Sequence, residues 1–374
     1  MEKNLLNRTE CDAMRGIAII GIALHNYCHW LRGIVRENEY LFSQNNVDNL
    51  GNFLSAPDWN LPIHLLSFFG HYGVPVFLFL SAYGLVRKYE GTNKRGEPVP
   101  QVGIWPFIRY HFLKLFKLMF VGFVAFLMLN ALSPDSHHYK VEWIIAQLGM
   151  FINFFNYPER AIWPGPYWFF GLMLQLYIIY RVVLYRRHWG FTVALMIICH
   201  VAQMLCQPES ETLNYLRYNF VGGMLPFGMG LLTARYGEQM SRRMCTIMIL
   251  PSLFMVYYFS QSFFMWSLAP LTIIFTVICI VKSIGYSGSS HTTPLLWTGR
   301  VSAAMFICHP ITRKLFIPIS YRGDTYSGLL LYIISTIALS WLFVEILKRI
   351  PSPQSPTAKK DHKASVVSIN SKLK

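Results

Sequence analysis

The chain has 374 residues, of which 53% are hydrophobic and only 14% charged. Soluble domains carry roughly one quarter charged residues, so an ordinary soluble globule is excluded and lipid must solvate much of the surface. The formal charge of +15 reads as membrane topology and attraction to anionic lipid rather than as nucleic-acid binding. Seven cysteines, Cys11, Cys28, Cys199, Cys206, Cys245, Cys279 and Cys308, fall mostly within or beside apolar stretches. They form no Cys-x-x-Cys pair and no metal-ligand spacing, so they read as small packing residues and no metal site is expected.

In chain order, hydropathy predicts about ten spans, near residues 14–31, 66–86, 107–132, 164–184, 191–206, 218–234, 244–260, 262–281, 295–312 and 327–347. Several lie at the short end of the usual range of about 17 to 25 residues. A further apolar piece, Trp143 to Phe155, is shorter and reads as re-entrant or interfacial. The expected fold is therefore an all-α polytopic membrane protein, with residues 1–350 as one membrane domain and 351–374 as a basic, disordered cytoplasmic tail. Asp12 and Arg15 sit where the apolar core of a signal peptide would be, so the first span reads as a retained anchor.

An even number of spans puts both termini on one side, and Lys and Arg placement decides which. One set of loops holds Lys3, Arg8, Arg87, Lys88, Lys94, Arg95, Arg186, Arg187, Arg235, Arg242, Arg243 and Lys282. The tail adds Lys348, Arg349, Lys359, Lys360, Lys363, Lys372 and Lys374. The opposite loops mix Arg32, Arg36, Lys140, Arg160, Arg217, Arg313, Lys314 and Arg322 with carboxylates such as Glu37, Glu39, Asp135 and Glu159. Both termini are thus expected in the cytoplasm.

Three stretches place ionisable groups where they are costly. On the first span, Asp12 and Arg15 share a helical face and can pair. His25 lies about 15 Å deeper and His29 one turn beyond; either can act as a general base near neutral pH, or simply bond a neighbouring helix. At the start of the third span, Arg109, Lys114 and Lys117 form a basic cluster. Such a cluster suits the phosphates of coenzyme A, or it snorkels to lipid headgroups. Trp168 and Tyr177 read as a possible site wall or as interfacial belt aromatics. In the ninth span Arg300 lies near the cytoplasmic end, and His309, before Pro310, lies toward the far side, where it suits an acceptor site.

These segments, in this order, resemble the acyltransferase-3 family of bacterial integral-membrane O-acyltransferases. Asp12-Ala-Met-Arg-Gly-Ile-Ala18 followed by a His is similar to the family's opening motif, and Gly73 to Gly84 to its second span. Phe107 to Lys117 resembles its basic third-span start, Trp168 to Tyr177 its Trp-containing span, and Leu296 to Pro310 its late Ser-and-His span. Two departures stand out. Nine residues separate Arg15 from His25 where most members have ten, so Asn26 occupies the usual place, and a π-bulge near Gly21 or use of His29 would restore the facing. Met173 and Leu174 replace the carboxylates many members carry after the Trp.

The resemblance implies acyl transfer, most often of acetyl from cytoplasmic acetyl-CoA, to a sugar hydroxyl of a surface polysaccharide or glycolipid in a bacterial inner membrane. On that reading His25 is the base, with Arg15, paired to Asp12, steadying negative charge. Arg109, Lys114, Lys117 and Arg300 receive the coenzyme A phosphates, and Trp168 and His309 line the acceptor path. The partners expected are acyl-CoA, a glycan or glycolipid and membrane lipid, with no resident cofactor and no nucleic acid; a homo-oligomer stays open. The rival classes are a transporter or flippase for a lipid-linked sugar or small carboxylate, and a polysaccharide polymerase or ligase. No internal repeat favours the transporter, and the longest outer loop, residues 31–65, is modest for a polymerase.

Overall fold

A computed structural model describes residues 4–92, 97–133, 136–286 and 293–356. Lys3, Lys94, Arg95, Asp135 and the tail lysines from Lys359 onward lie outside the described residues. The described chain is helical, with one isolated bridge between Thr92 and Pro98 in place of any sheet. Residues 351–355, the start of the expected tail, have no regular structure.

The helices are α1 Arg8–Cys28, α2 Gln44–Ser55, α3 Leu61–Phe69, α4 Gly73–Tyr89, α5 Ile104–Ala131, α6 Val141–Leu148, α7 Pro158–Ala161 and α8 Trp168–Ile179. They continue as α9 Trp189–Met204, α10 Glu211–Tyr218, α11 Phe220–Tyr236, α12 Arg242–Phe259, α13 Phe263–Ile284, α14 Pro294–Tyr321 and α15 Thr325–Arg349. A short 3-10 turn links α3 to α4, and a π-helical turn extends α8 to Leu184. Each of the ten apolar segments falls on one long helical element. Among the described residues, five elements are long and apolar enough to cross a membrane: Leu61–Tyr89, Ile104–Ala131, Gly165–Leu184, Phe263–Ile284 and Thr325–Arg349. Bulky apolar side chains exposed on the outer helices, among them Ile198, Leu250, Phe254, Leu330 and Trp341, give lipid a matching surface. Trp143–Phe155 forms α6 and a 3-10 turn; eight helical residues rise only about 12 Å, too little to cross.

Helix α1 is the central element, packed by α3, α4, α13 and α14. It starts on a capping box, in which the Asn7 side chain accepts from Glu10 N (2.8 Å) and Glu10 accepts from Asn7 N (2.8 Å). Gly299 lets α14 approach so closely that a Cβ there would strike the Asp12 carbonyl. In lipid, where apolar contact alone drives little association, such small-residue crossings let backbones pack tightly. Buried ion pairs tie the helix ends on the α1 N-terminal side, hereafter the lower end. Lys282 meets Glu10 at 2.9 Å, and Arg235 grips Glu90 through two 2.8 Å hydrogen bonds. At the upper end, residues 29–60, 149–167 and α10 fold over the helix ends.

Candidate active site

Two cavities of about 350 Å³ each enter the bundle. The upper one is walled by His25, Asn26 and His29 of α1, Glu39 and Tyr40 of the folded-over loop, Trp168 of α8 and Arg313 of α14. The lower one is walled by Arg15, Lys88, His111, Lys114 and Tyr177, with the hydroxyls of Ser81 and Ser302 and, among the described residues, no carboxylate. Ile22, Phe169 and Phe306 line both, so three apolar side chains form the partition between them.

His25 is buried and its Nδ1 lies 2.7 Å from the Ser67 carbonyl. A carbonyl only accepts, so Nδ1 carries the hydrogen and Nε2 is left as the proton acceptor. The support behind this bond is layered. Ser67 Oγ donates to the Val35 carbonyl (2.5 Å), while Val35 N donates to His64 Nδ1 (3.1 Å). The upper loop thus fixes the residue that fixes the His25 ring, the usual way an outer hydrogen bond sets an imidazole's tautomer and orientation. Gly70 is the floor under His25, since a Cβ on it would lie 2.7 Å from His25 Cβ and 2.6 Å from the Gly21 carbonyl. His29 and His71 flank the ring at centroid distances of 5.0 and 5.5 Å. Among the described residues, no group of three or more His, Cys, Asp or Glu side chains is arranged to hold a metal ion.

The α1 helix runs through Gly21 without a π-turn. His25 reaches the cavity in a regular helix, and Asn26 lines it as well; the nine-residue spacing needs no bulge.

Asp12 holds two arginines, Arg15 Nη1 at 2.7 Å and Arg300 Nε at 3.7 Å. Arg15 opens onto the lower cavity, about 15 Å along the helix from His25, and so cannot meet the same atom as His25. Of the expected basic cluster, Lys114 lines the lower cavity. Arg109 is exposed on α5 and lines neither cavity. Lys117 donates to the Ile350 carbonyl (2.7 Å) and to Ser352 Oγ (2.9 Å), tying down the end of α15. Trp168 lines the upper cavity. His309 is fully buried behind Phe306, with Nδ1 3.1 Å from the Met305 carbonyl, and lines neither cavity.

Sequence reasoning left Lys88 and Arg313 as topological charges and gave His111 no role, yet all three line cavities. The signal available was spacing, since Arg313 follows Phe306 by seven residues and shares its helical face. The loop carboxylates also depart from ordinary behaviour. Burial pushes Glu37 up to about 8 and Glu39 up to about 7. Arg217, which donates to Gln203 Oε1 (2.8 Å) and to the Glu39 carbonyl, lies 4.3 Å from the Trp266 ring centre and braces that loop.

No curated protein and no solved structure matches the chain. The model of the acyltransferase-3 family, described as an acyltransferase domain, matches residues 8–345. That match runs from the first residue of α1 into the last turns of α15 and takes in both cavities and the partition between them, so the chain belongs to the acyltransferase-3 family of membrane acyltransferases.

Proposed function

We propose that the protein moves an acetyl group from cytoplasmic acetyl-CoA to a sugar hydroxyl of a cell-surface polysaccharide or glycolipid. In this reading it spans a bacterial inner membrane ten times, with both termini and the lower cavity on the cytoplasmic side, as the Lys and Arg bias favours. The observation that carries the proposal is the pair of cavities entering from opposite ends and separated by three apolar side chains. A donor confined to the cytoplasm and an acceptor outside need such an arrangement. The cations of the lower cavity, with no carboxylate beside them among the described residues, favour a phosphate-bearing donor.

The chemistry follows from placement. An acceptor hydroxyl in the upper cavity hydrogen-bonds to His25 Nε2, and the thioester reaches it past Ile22, Phe169 and Phe306. As the hydroxyl oxygen attacks the carbonyl carbon, His25 takes the proton. The C–O bond forms, the C–S bond breaks, and the coenzyme A thiolate recovers the proton as it withdraws. Arg15, held by Asp12, acts on the donor, since it lines the lower cavity away from the reacting carbon.

The test compares ester-linked acetyl on surface glycans from cells with the intact gene, a deletion, and His25→Ala or His29→Ala complements. Loss of acetyl in the deletion and in His25→Ala, with glycan amount and length unchanged, is the expected result. Loss or shortening of the glycan itself, with acetylation intact on what remains, would replace this reading with transport or polymerisation.

A further inference from the structure

Arg313 is 6% exposed and stands in the wall of the upper cavity. The bundle's other deeply buried cations at the lower end each face a glutamate: Arg235 meets Glu90, and Lys282 meets Glu10. Arg313 faces none. Its Nη1 donates to the Asn26 carbonyl (3.2 Å) and to Asn26 Oδ1 (3.3 Å), and its guanidinium lies 5.1 Å from the Trp30 ring centre. Glu39 and Glu159, the carboxylates of the same cavity, do not pair with it. A guanidinium taken out of water without an anion is unfavourable unless some step of the function supplies the negative charge.

Helix geometry says where that charge arises. Helices α1 and α14 run side by side, with Gly299 against Asp12 below and Arg313 against Asn26 above. Ile22 and Phe306 mark the partition between these contacts. His25 and Asn26 lie one turn above Ile22, and Arg313 lies two turns above Phe306 on the same face. Helical side chains lean toward the N-terminus, so Arg313 reaches back down to the level of Asn26, beside the base.

We propose that Arg313 is a catalytic residue that stabilises the oxyanion formed when the acceptor hydroxyl attacks the thioester. Resting on the acyl-transfer reading, it assigns the part for which Arg15 is too distant. The step balances as follows. The hydroxyl oxygen bonds to the carbonyl carbon, its proton passes to His25 Nε2, and the carbonyl π pair moves onto the oxygen facing Arg313. Collapse returns that pair, expels coenzyme A as thiolate, and His25 hands the proton to the thiolate. Asn26 holds the guanidinium in place before charge develops, so little reorganisation is needed.

The same developing charge forms when water replaces the acceptor, and this separates an oxyanion from a fixed anionic group on the acceptor. The purified full-length protein in detergent is assayed for coenzyme A release from acetyl-CoA without acceptor. Inside-out vesicles containing the full chain are assayed for transfer of labelled acetyl to their own glycolipids. Arg313→Gln should lower turnover in both assays by about 10²–10³-fold, with the KM for acetyl-CoA within about twofold and melting unchanged. Arg313→Lys, which keeps charge without the planar fork, should fall between. A loss of transfer with hydrolysis intact would reassign Arg313 to an anionic group of the acceptor. A loss matched by a lowered melting temperature in both variants, or no loss at all, would also overturn the proposal. A wild-type chain that hydrolyses acetyl-CoA through His25 but transfers nothing would sink the glycan reading and leave Arg313 in its role. One that does neither would sink both.

Discussion

Gly70 offers the sharpest test of how His25, the proposed base, is positioned. Its φ of −67° suits any residue, so alanine there meets a problem of space, not of conformation. The added Cβ would lie 2.7 Å from His25 Cβ and 2.6 Å from the Gly21 carbonyl, whereas ordinary contact begins near 3.4 Å. Both near atoms belong to α1, so relief requires α1 and the 3-10 turn to separate by roughly 0.7 Å. A 1 Å misplacement costs on the order of 10²-fold in rate, so Gly70→Ala should lower turnover by about 10- to 50-fold. Overpacking of this kind costs about 1–3 kcal/mol. The assay is acetyl transfer per folded molecule, with melting of the detergent-solubilised protein followed alongside. Gly51→Ala is the control, because its Cβ would meet nothing within 4 Å; it should leave rate unchanged and stability equal or slightly raised. Full activity in Gly70→Ala would refute the argument that the close approach at Gly70 sets the position of His25.

The basic residues of α5 and its neighbours should divide by function. Lys88→Ala and Lys114→Ala should raise the KM for acetyl-CoA several-fold, whereas Lys117→Ala, which frees the Ile350 carbonyl and Ser352 Oγ at the end of α15, should leave KM unchanged and lower melting; steady-state kinetics with a melting curve separates them. Glu90→Gln should destabilise the protein by about 3–5 kcal/mol, since it leaves Arg235 buried without its carboxylate; a melting temperature within a degree of wild type would contradict this. Glu37 should make stability fall with rising pH. Burial raises its folded pKa from the ordinary 4.5 to about 8, so between these values the unfolded chain releases the proton while the folded chain keeps it. Melting followed from pH 5 to 8 should show this loss, and Glu37→Gln should flatten it.

What could be read from the chain, and what could not, divides along physical lines. Apolar runs long enough for lipid mark helices directly, because backbone groups in a membrane must be satisfied within the segment; hence every one of the ten segments is helical. Residues separated by helical spacing on one segment were equally legible, as with the Asp12–Arg15 pair. Pairings between segments were not. That Lys117 serves the end of α15, that Ser67 orients His25, and that His111 and Lys88 face the same cavity as Arg15 are consequences of packing between elements, and no spacing within one segment encodes them. Arg313 shows the limit most clearly. Counted as a loop charge it helps set topology, yet the fold buries it against Asn26. The same residue that weakly opposes the positive-inside bias is, among the described residues, the one Lys or Arg of the upper cavity's wall. A charge that costs topology and solvation together is retained where chemistry uses it, which is why the exceptions to the Lys and Arg pattern in such a protein are the places to look for its site.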